Sequence, residues 1–191
     1  ATYIFLDNDE RKKFAKATHE YLIEQTKNNY FELPKVKNIN IDLDFYHPLK
    51  YIVWTIQRSN NINNNLHFKY SNSVSNLVNN YPVIQTDKDN TVDQCRIELN
   101  GINRISYRDG SYFNYIQPLE CFNKTPVDGI NCYSFALNPL EIQPSGSCNF
   151  SKLNKKTLNI ILTDEFYNNL GDDEKIIIDT DPAMGTKGGD P

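Results

Sequence analysis

Ile39-Asn-Ile-Asp-Leu-Asp-Phe45 alternates apolar and polar residues without a break. Successive side chains of a strand point to opposite faces, so this pattern puts Ile39, Ile41, Leu43 and Phe45 on one buried face of a β-strand. The next stretch, Leu49 to Arg58 (LKYIVWTIQR), is β-branched and aromatic but apolar on both faces. That suits a strand covered on both sides, or one lying at an inter-subunit contact, and Trp54 is read as core.

Further strands follow outward from this pair. Cys95, Ile97 and Leu99 alternate with Arg96 and Glu98, and the run ends at Asn100-Gly101, a dipeptide suited to the positive φ values of a tight hairpin turn. A returning strand from Ile102 to Tyr107 is expected. Cys132 to Leu137, Thr157 to Thr163 and Lys175 to Asp179 are short, β-rich and bounded by turn residues, and His19 to Gln25 is another candidate. In the segment around Cys132, Tyr133, Phe135 and Leu137 form one inward face. Pro139, Pro144 and Gly146 then force a turn, and Phe150 resumes the next strand.

Helical signals are few. Asp7 with Glu10 three positions later is a capping-box pattern for a short helix through Phe14, and Thr163 to Leu170 ends at Gly171. Ser111 to Ile116 is read as a single turn. Short strands punctuated by loops, with little helix, define an all-β class, a sandwich or jelly roll. Ser59 to Asn80 is too polar for a core element and reads as a projecting loop. The final TDPAMGTKGGDP has several breakers and no periodicity, and reads as a flexible tail or a truncated insertion.

The 191 residues, 39% hydrophobic and 12% aromatic, supply one packed domain. The net charge is −4 without a basic stripe, which argues against direct contact with nucleic acid. No apolar run approaches the roughly 20 residues of a membrane-crossing helix, so no transmembrane segment is expected. The start, ATYIFLDNDER, has neither a secretory signal pattern nor an initiating Met, as expected of a fragment.

Reactive constellations are scarce in the sequence. Cys95, Cys121, Cys132 and Cys148 form no C-x-x-C pair and are expected as free, mostly buried thiols. His19, His47 and His67 show no ligand spacing, and His47, followed by Pro48, reads as a turn between strands. Asp42 with Asp44, and Asp172-Asp173-Glu174, read as solvated charge rather than calcium ligands. No nucleophile elbow, phosphate loop or dinucleotide fingerprint occurs, so neither a catalytic residue nor a cofactor or metal site is assigned. Ser145 and Ser147 in QPSGS read as turn serines bonded to backbone. Two sequons, Asn123-Lys124-Thr125 and Asn149-Phe150-Ser151, make Asn123 and Asn149 candidate glycosylation sites.

One stretch is far more specific than these: Gly129 to Leu153, GINCYSFALNPLEIQPSGSCNFSKL, taken with Tyr112-Phe-Asn-Tyr-Ile-Gln-Pro118. It resembles the major capsid proteins of large nucleocytoplasmic DNA viruses. The opening Tyr3-Ile-Phe-Leu-Asp7, with Glu10-Arg11, Phe14-Ala15 and His19 to Gln25, is similar to the segment joining that family's two jelly rolls. His47-Pro48, Trp54 and Ile97-Glu-Leu-Asn-Gly101 match in order. The resemblance implies a double jelly-roll protein whose homotrimers form pseudo-hexagonal capsomers of an icosahedral virion shell, assembled in the host cytoplasm. Its implied partners are neighbouring capsomers and minor capsid proteins.

On this reading residues 1–16 are a linker with a short helix and 17–179 the C-terminal jelly roll, lacking its last strands because nothing after Asp179 resembles them. Residues 180–191 are the tail. The competing reading is a jelly-roll glycan-binding or attachment protein, with Tyr70, Asn72 and Tyr81 as exposed loop candidates.

Overall fold

The computed structural model describes residues 3–72 and 90–188. A helix, α1 (Asn8–Lys16), precedes strands β1 (Tyr21–Thr26), β2 (Asn29–Leu33), β3 (Asn38–Asp42) and β4 (Pro48–Arg58). A short helix α2 (Ser59–Asn63) follows, then the hairpin of β5 (Val92–Leu99) and β6 (Ile102–Asp109). A π-helical turn at Tyr112–Ile116 runs into α3 (Gln117–Phe122), longer than the single turn read from the sequence. Strands β7 (Ile130–Ser134), β8 (Cys148–Asn149) and β9 (Lys156–Leu162), helix α4 (Asp164–Asn168) and strand β10 (Ile176–Gly188) complete the order.

The strands form two sheets, every pairing antiparallel. One runs β1-β10-β4-β7, with β2 also on β10 and β8 on β4; the other runs β3-β9-β5-β6. Thr26 lies opposite Ala183 and Asn29 opposite Thr180, so β1 and β2 continue one another along the same edge of β10. Counting collinear pieces together leaves four strand positions in each sheet. The chain crosses between sheets at β2 to β3, β3 to β4, β4 to β5, β6 to β7, β8 to β9 and β9 to β10, which is the connectivity of a jelly roll.

Inward residues of both sheets meet in one core. Ile39, Ile41, Leu43 and Phe45 are all buried, as their alternation requires, although the ladder itself ends at Asp42. They meet Ile52, Trp54 and Ile56 of β4, Ile97 of β5, Leu158 and Ile160 of β9, and Ile176 and Ile178 of β10. Trp54 is fully buried, with its ring 5.3 Å from that of Phe113. The β5–β6 turn has φ of 53° at Asn100 and 79° at Gly101, the conformation expected of Asn-Gly. Thr163 caps α4 by accepting from the Phe166 amide, and Asp7 and Glu10 complete a capping box on α1.

Four readings are corrected. The strand expected from Cys132 to Leu137 ends at Ser134, whose Oγ donates to the Ala136 carbonyl and accepts from the Ala136 amide, turning the chain outward. Leu137 is 78% exposed rather than inward. Phe150 opens a 3₁₀ turn instead of a strand, yet is fully buried, its ring 5.5 Å from that of Phe135. The loop expected over 59–80 begins with helix α2, anchored where the Ser59 amide donates to the Lys175 carbonyl and the Lys175 amide to Ser59 Oγ.

The fourth concerns residues 180–191. Backbone pairing with β1 and β4 carries β10 on to Gly188, so residues 180–188 are strand and lie inside the sheet, between β1 and β4. Pro182 lies next to a register irregularity at Ala183/Met184, the setting in which a sheet tolerates proline.

Candidate assembly surfaces

The N-terminal arm contributes nothing to the core. Helix α1 has no buried residue, and all six residues of β1 are exposed. Tyr3, Ile4, Phe5, Phe14, Tyr21, Leu22 and Ile23 therefore present apolar surface. His19 closes the turn between helix and strand: its Nε2 lies 2.8 Å from the Phe14 carbonyl, and its ring stacks between Phe14 and Tyr21. Contiguous apolar surface of this kind marks interaction sites on folded proteins.

Across a groove from β1 stands the 135–147 loop, with Leu137, Leu140 and Ile142 exposed. Leu22, Pro48, Ile142 and Pro144 line the groove. Lys50 lies beneath it, with its side chain buried, and ion-pairs with Glu24 of β1. It also donates to the Glu141 carbonyl at 2.8 Å. One buried ammonium thus ties both lips to β4, and removing the Glu24 carboxylate would leave its charge uncompensated. Ser145 Oγ accepts from the Asn138 amide at 2.8 Å, so this serine is a loop brace, as read from QPSGS. Gly146 has φ of 141°, and a Cβ there would press on the Phe135 carbonyl.

A third surface surrounds α3, where Ile116, Leu119 and Val127 are exposed beside a cleft lined by Val53, Pro118, Phe122, Pro126, Ile130 and Cys132. Asn123 ends this helix in the left-handed conformation, exposed. Asn149 is also exposed, but it accepts from the Ser151 amide, and Ser151 Oγ accepts from the His47 amide. The second sequon is therefore engaged in local backbone bonding and the first is not tied in this way.

Of the residues singled out for glycan recognition, the two that are described are not exposed. Asn72 is 2% exposed, with its amide directed to Thr163 Oγ1. Tyr70 is half-buried, its carbonyl packed where Gly129 has no side chain. Tyr81 lies outside the described residues. His47 has φ of 73° in the turn between β3 and β4. Asp42, Asp44, Asp172 and Asp173 are exposed as expected of solvated charge, but Glu174 is not: it is buried, its carboxylate turned back to accept from the Gly171 amide at 3.1 Å. No group of three His, Cys, Asp or Glu residues that could hold a metal occurs among the described residues.

All four cysteines are free, Cys95 and Cys132 buried. Burial drives the Cys95 thiol far above its ordinary pKa. Burial, reinforced by the neighbouring Cys121, pushes Cys132 up to about 12. Neither thiol is a nucleophile at neutral pH. Among the described residues no helix is long and apolar enough to cross a membrane.

A jelly-roll sandwich with an exposed apolar arm and braced apolar loops presents surfaces suited to packing against other chains. Comparison with known proteins specifies the family. Residues 10–180 match the model for large eukaryotic DNA virus major capsid proteins, and the chain belongs to that family. The major capsid protein of Paramecium bursaria Chlorella virus 1 is 36% identical over 177 residues, covering 83% of this chain and 40% of the relative. That of Pyramimonas orientalis virus is 34% identical over 181 residues, covering 83% and 39%. The chain thus spans about two fifths of these relatives' length.

Among solved structures, the PBCV-1 virus capsid matches with a TM-score of 0.73 at 28% identity, over 99% of this chain and 56% of that one. The Faustovirus major capsid protein has the same fold, with a TM-score of 0.74 at 15% identity, over 96% and 36%. The resemblance read from GINCYSFALNPLEIQPSGSCNFSKL is therefore correct.

Proposed function

We propose that this chain is the C-terminal jelly roll of a capsid protein that assembles as homotrimeric, pseudo-hexagonal capsomers of an icosahedral shell. The observation that carries this reading is the exposed apolar arm. Six strand residues and a complete capped helix lie outside the core, and burying their aromatic and aliphatic side chains against other chains would favour assembly. The sandwich supplies a rigid wall, while the 135–147 loop and the α3 surface meet neighbouring capsomers and minor capsid proteins. Assembly takes place in the host cytoplasm, and the chain is assigned no catalytic role. Asn123, exposed beyond α3, is the better placed of the two sequon asparagines for a glycan, and intact-mass measurement of peptides from purified virions tests this.

Electron microscopy of the full capsid polypeptide tests the assembly reading. Particles of pseudo-hexagonal outline are expected. Replacing Leu22 and Ile23 with Ser should disperse them without unfolding the sandwich, whereas unchanged particles would remove the arm from the interface.

A further inference from the structure

A cleft lies at the junction of β1, β2 and the β3–β4 turn. Gln25, Thr26, Lys27, Tyr46 and His47 line its roughly 260 Å³. The Lys27 ammonium lies 5.3 Å from the centre of the Tyr46 ring, and the Lys156 ammonium lies 5.2 Å from the same centre. Two like charges are thus gathered on one aromatic side chain in a protein whose net charge is −4.

Backbone carbonyls hold both lysines in place. Lys27 Nζ donates to the Asp44 carbonyl at 3.1 Å, and Lys156 Nζ donates to the Phe45 carbonyl at 3.2 Å and to the Phe150 carbonyl at 3.5 Å. Each ammonium has three donors, so these bonds fix position and leave donor capacity. Among the described residues neither lysine, nor His47, has a carboxylate partner in an ion pair; the pairs present involve other residues. Beside the cleft, the Asp44 carboxylate is hydrogen-bonded to the Tyr46 hydroxyl and raises its pKa. That bond turns the ring's polar end toward the carboxylate, leaving Gln25, Thr26, Lys27 and His47 as the donors of the cleft.

We infer that this cleft binds a phosphate-class oxyanion, with Lys27 as its principal contact and Lys156 supplying charge from beside the Tyr46 ring. Ammonium-to-phosphate hydrogen bonds are charge-assisted and stronger than neutral ones. A pair of positioned, unpaired cations is chemically suited to a phosphate group, free in solution or carried on a lipid head group. Nothing in the capsid-assembly reading requires such a site, so the two stand independently.

The test uses the purified full polypeptide. Equilibrium dialysis with inorganic phosphate forms one arm, and flotation with phosphatidic-acid vesicles, against phosphatidylcholine vesicles, forms the other. Saturable binding in the first arm identifies free phosphate as sufficient; selective binding in the second alone identifies the lipid head group. In whichever arm binds, Lys27→Gln should weaken binding by about tenfold or more, Lys27→Arg should largely restore it, and Lys175→Gln should leave it unchanged. The variants' melting temperatures separate lost binding from lost folding, because Lys27 also braces the Asp44 carbonyl. Absence of saturable binding in both arms, or equal binding by a folded Lys27→Gln variant, would overturn the assignment.

Discussion

Strands β1 and β9 carry similar apolar sequences, YLIEQT and KTLNIIL, and meet opposite fates. Every residue of β1 is exposed, while five of the seven in β9 are buried, including the polar Thr157 and Asn159. The difference lies in the surroundings. Strand β9 sits between β3 and β5 with the other sheet beneath it, so even its outer polar groups find partners, Asn159 bonding Glu98 and Thr157 bonding Asp42. Strand β1 is held by backbone pairing to the far end of β10 and by the Glu24–Lys50 ion pair, with no layer over it. Apolar composition states what a strand can bury; the sheet's coverage decides whether it does.

This contrast is sharpest under substitution. Trp54→Ala, at the fully buried centre of β4, should cost about 3–5 kcal/mol in denaturant unfolding and bring the sandwich close to collapse. Ile160→Ala in β9 should cost about 2–5 kcal/mol, whereas Ile23→Ala in β1 should stay within about 0.5 kcal/mol in the same assay. Equal costs would break the distinction between a built core and an uncovered arm.

The same contrast holds for the two helix caps. Thr163→Ala, which uncaps α4 against the core, should lower global stability by about 1 kcal/mol. Asp7→Ala should accelerate hydrogen exchange in α1 alone and leave the global transition in place, because α1 buries nothing.

The thiols add a pH signature to the core. A buried Cys132 that keeps its proton up to about pH 12 is out of step with an unfolded chain whose thiols ionise near about 8.5. Its contribution is present below that lower value and is lost as pH rises toward 12. Stability should therefore decline through this alkaline range, and Cys132→Ala should flatten part of the decline. At pH 8, alkylation should modify the half-buried Cys121 and Cys148 before Cys95 and Cys132.

Local patterns were readable wherever the physics is local. The alternation of Ile39 to Phe45, the Asn-Gly turn, the Asp7/Glu10 capping box and the Thr163 cap each involve residues a few positions apart. Features created by distant pairing were not readable. Asn29–Leu33 has no strong strand pattern, and residues 180–188 look like a tail; each is strand because it lies against β10 or completes it. Leu137 belongs to an apolar alternation that the Ser134 turn interrupts. The burial of Lys50 depends on Glu24 and Glu141, and the phosphate-class cleft gathers Lys27, Tyr46 and Lys156 from positions that no sequence window contains.

The most direct measurement is the molar mass of the full capsid polypeptide by light scattering, compared with a Leu22→Ser/Ile23→Ser variant. A mass of three subunits, falling to one in the variant while its melting transition is retained, is expected if the arm closes the capsomer. A stable monomer at high concentration in the unaltered protein would contradict it.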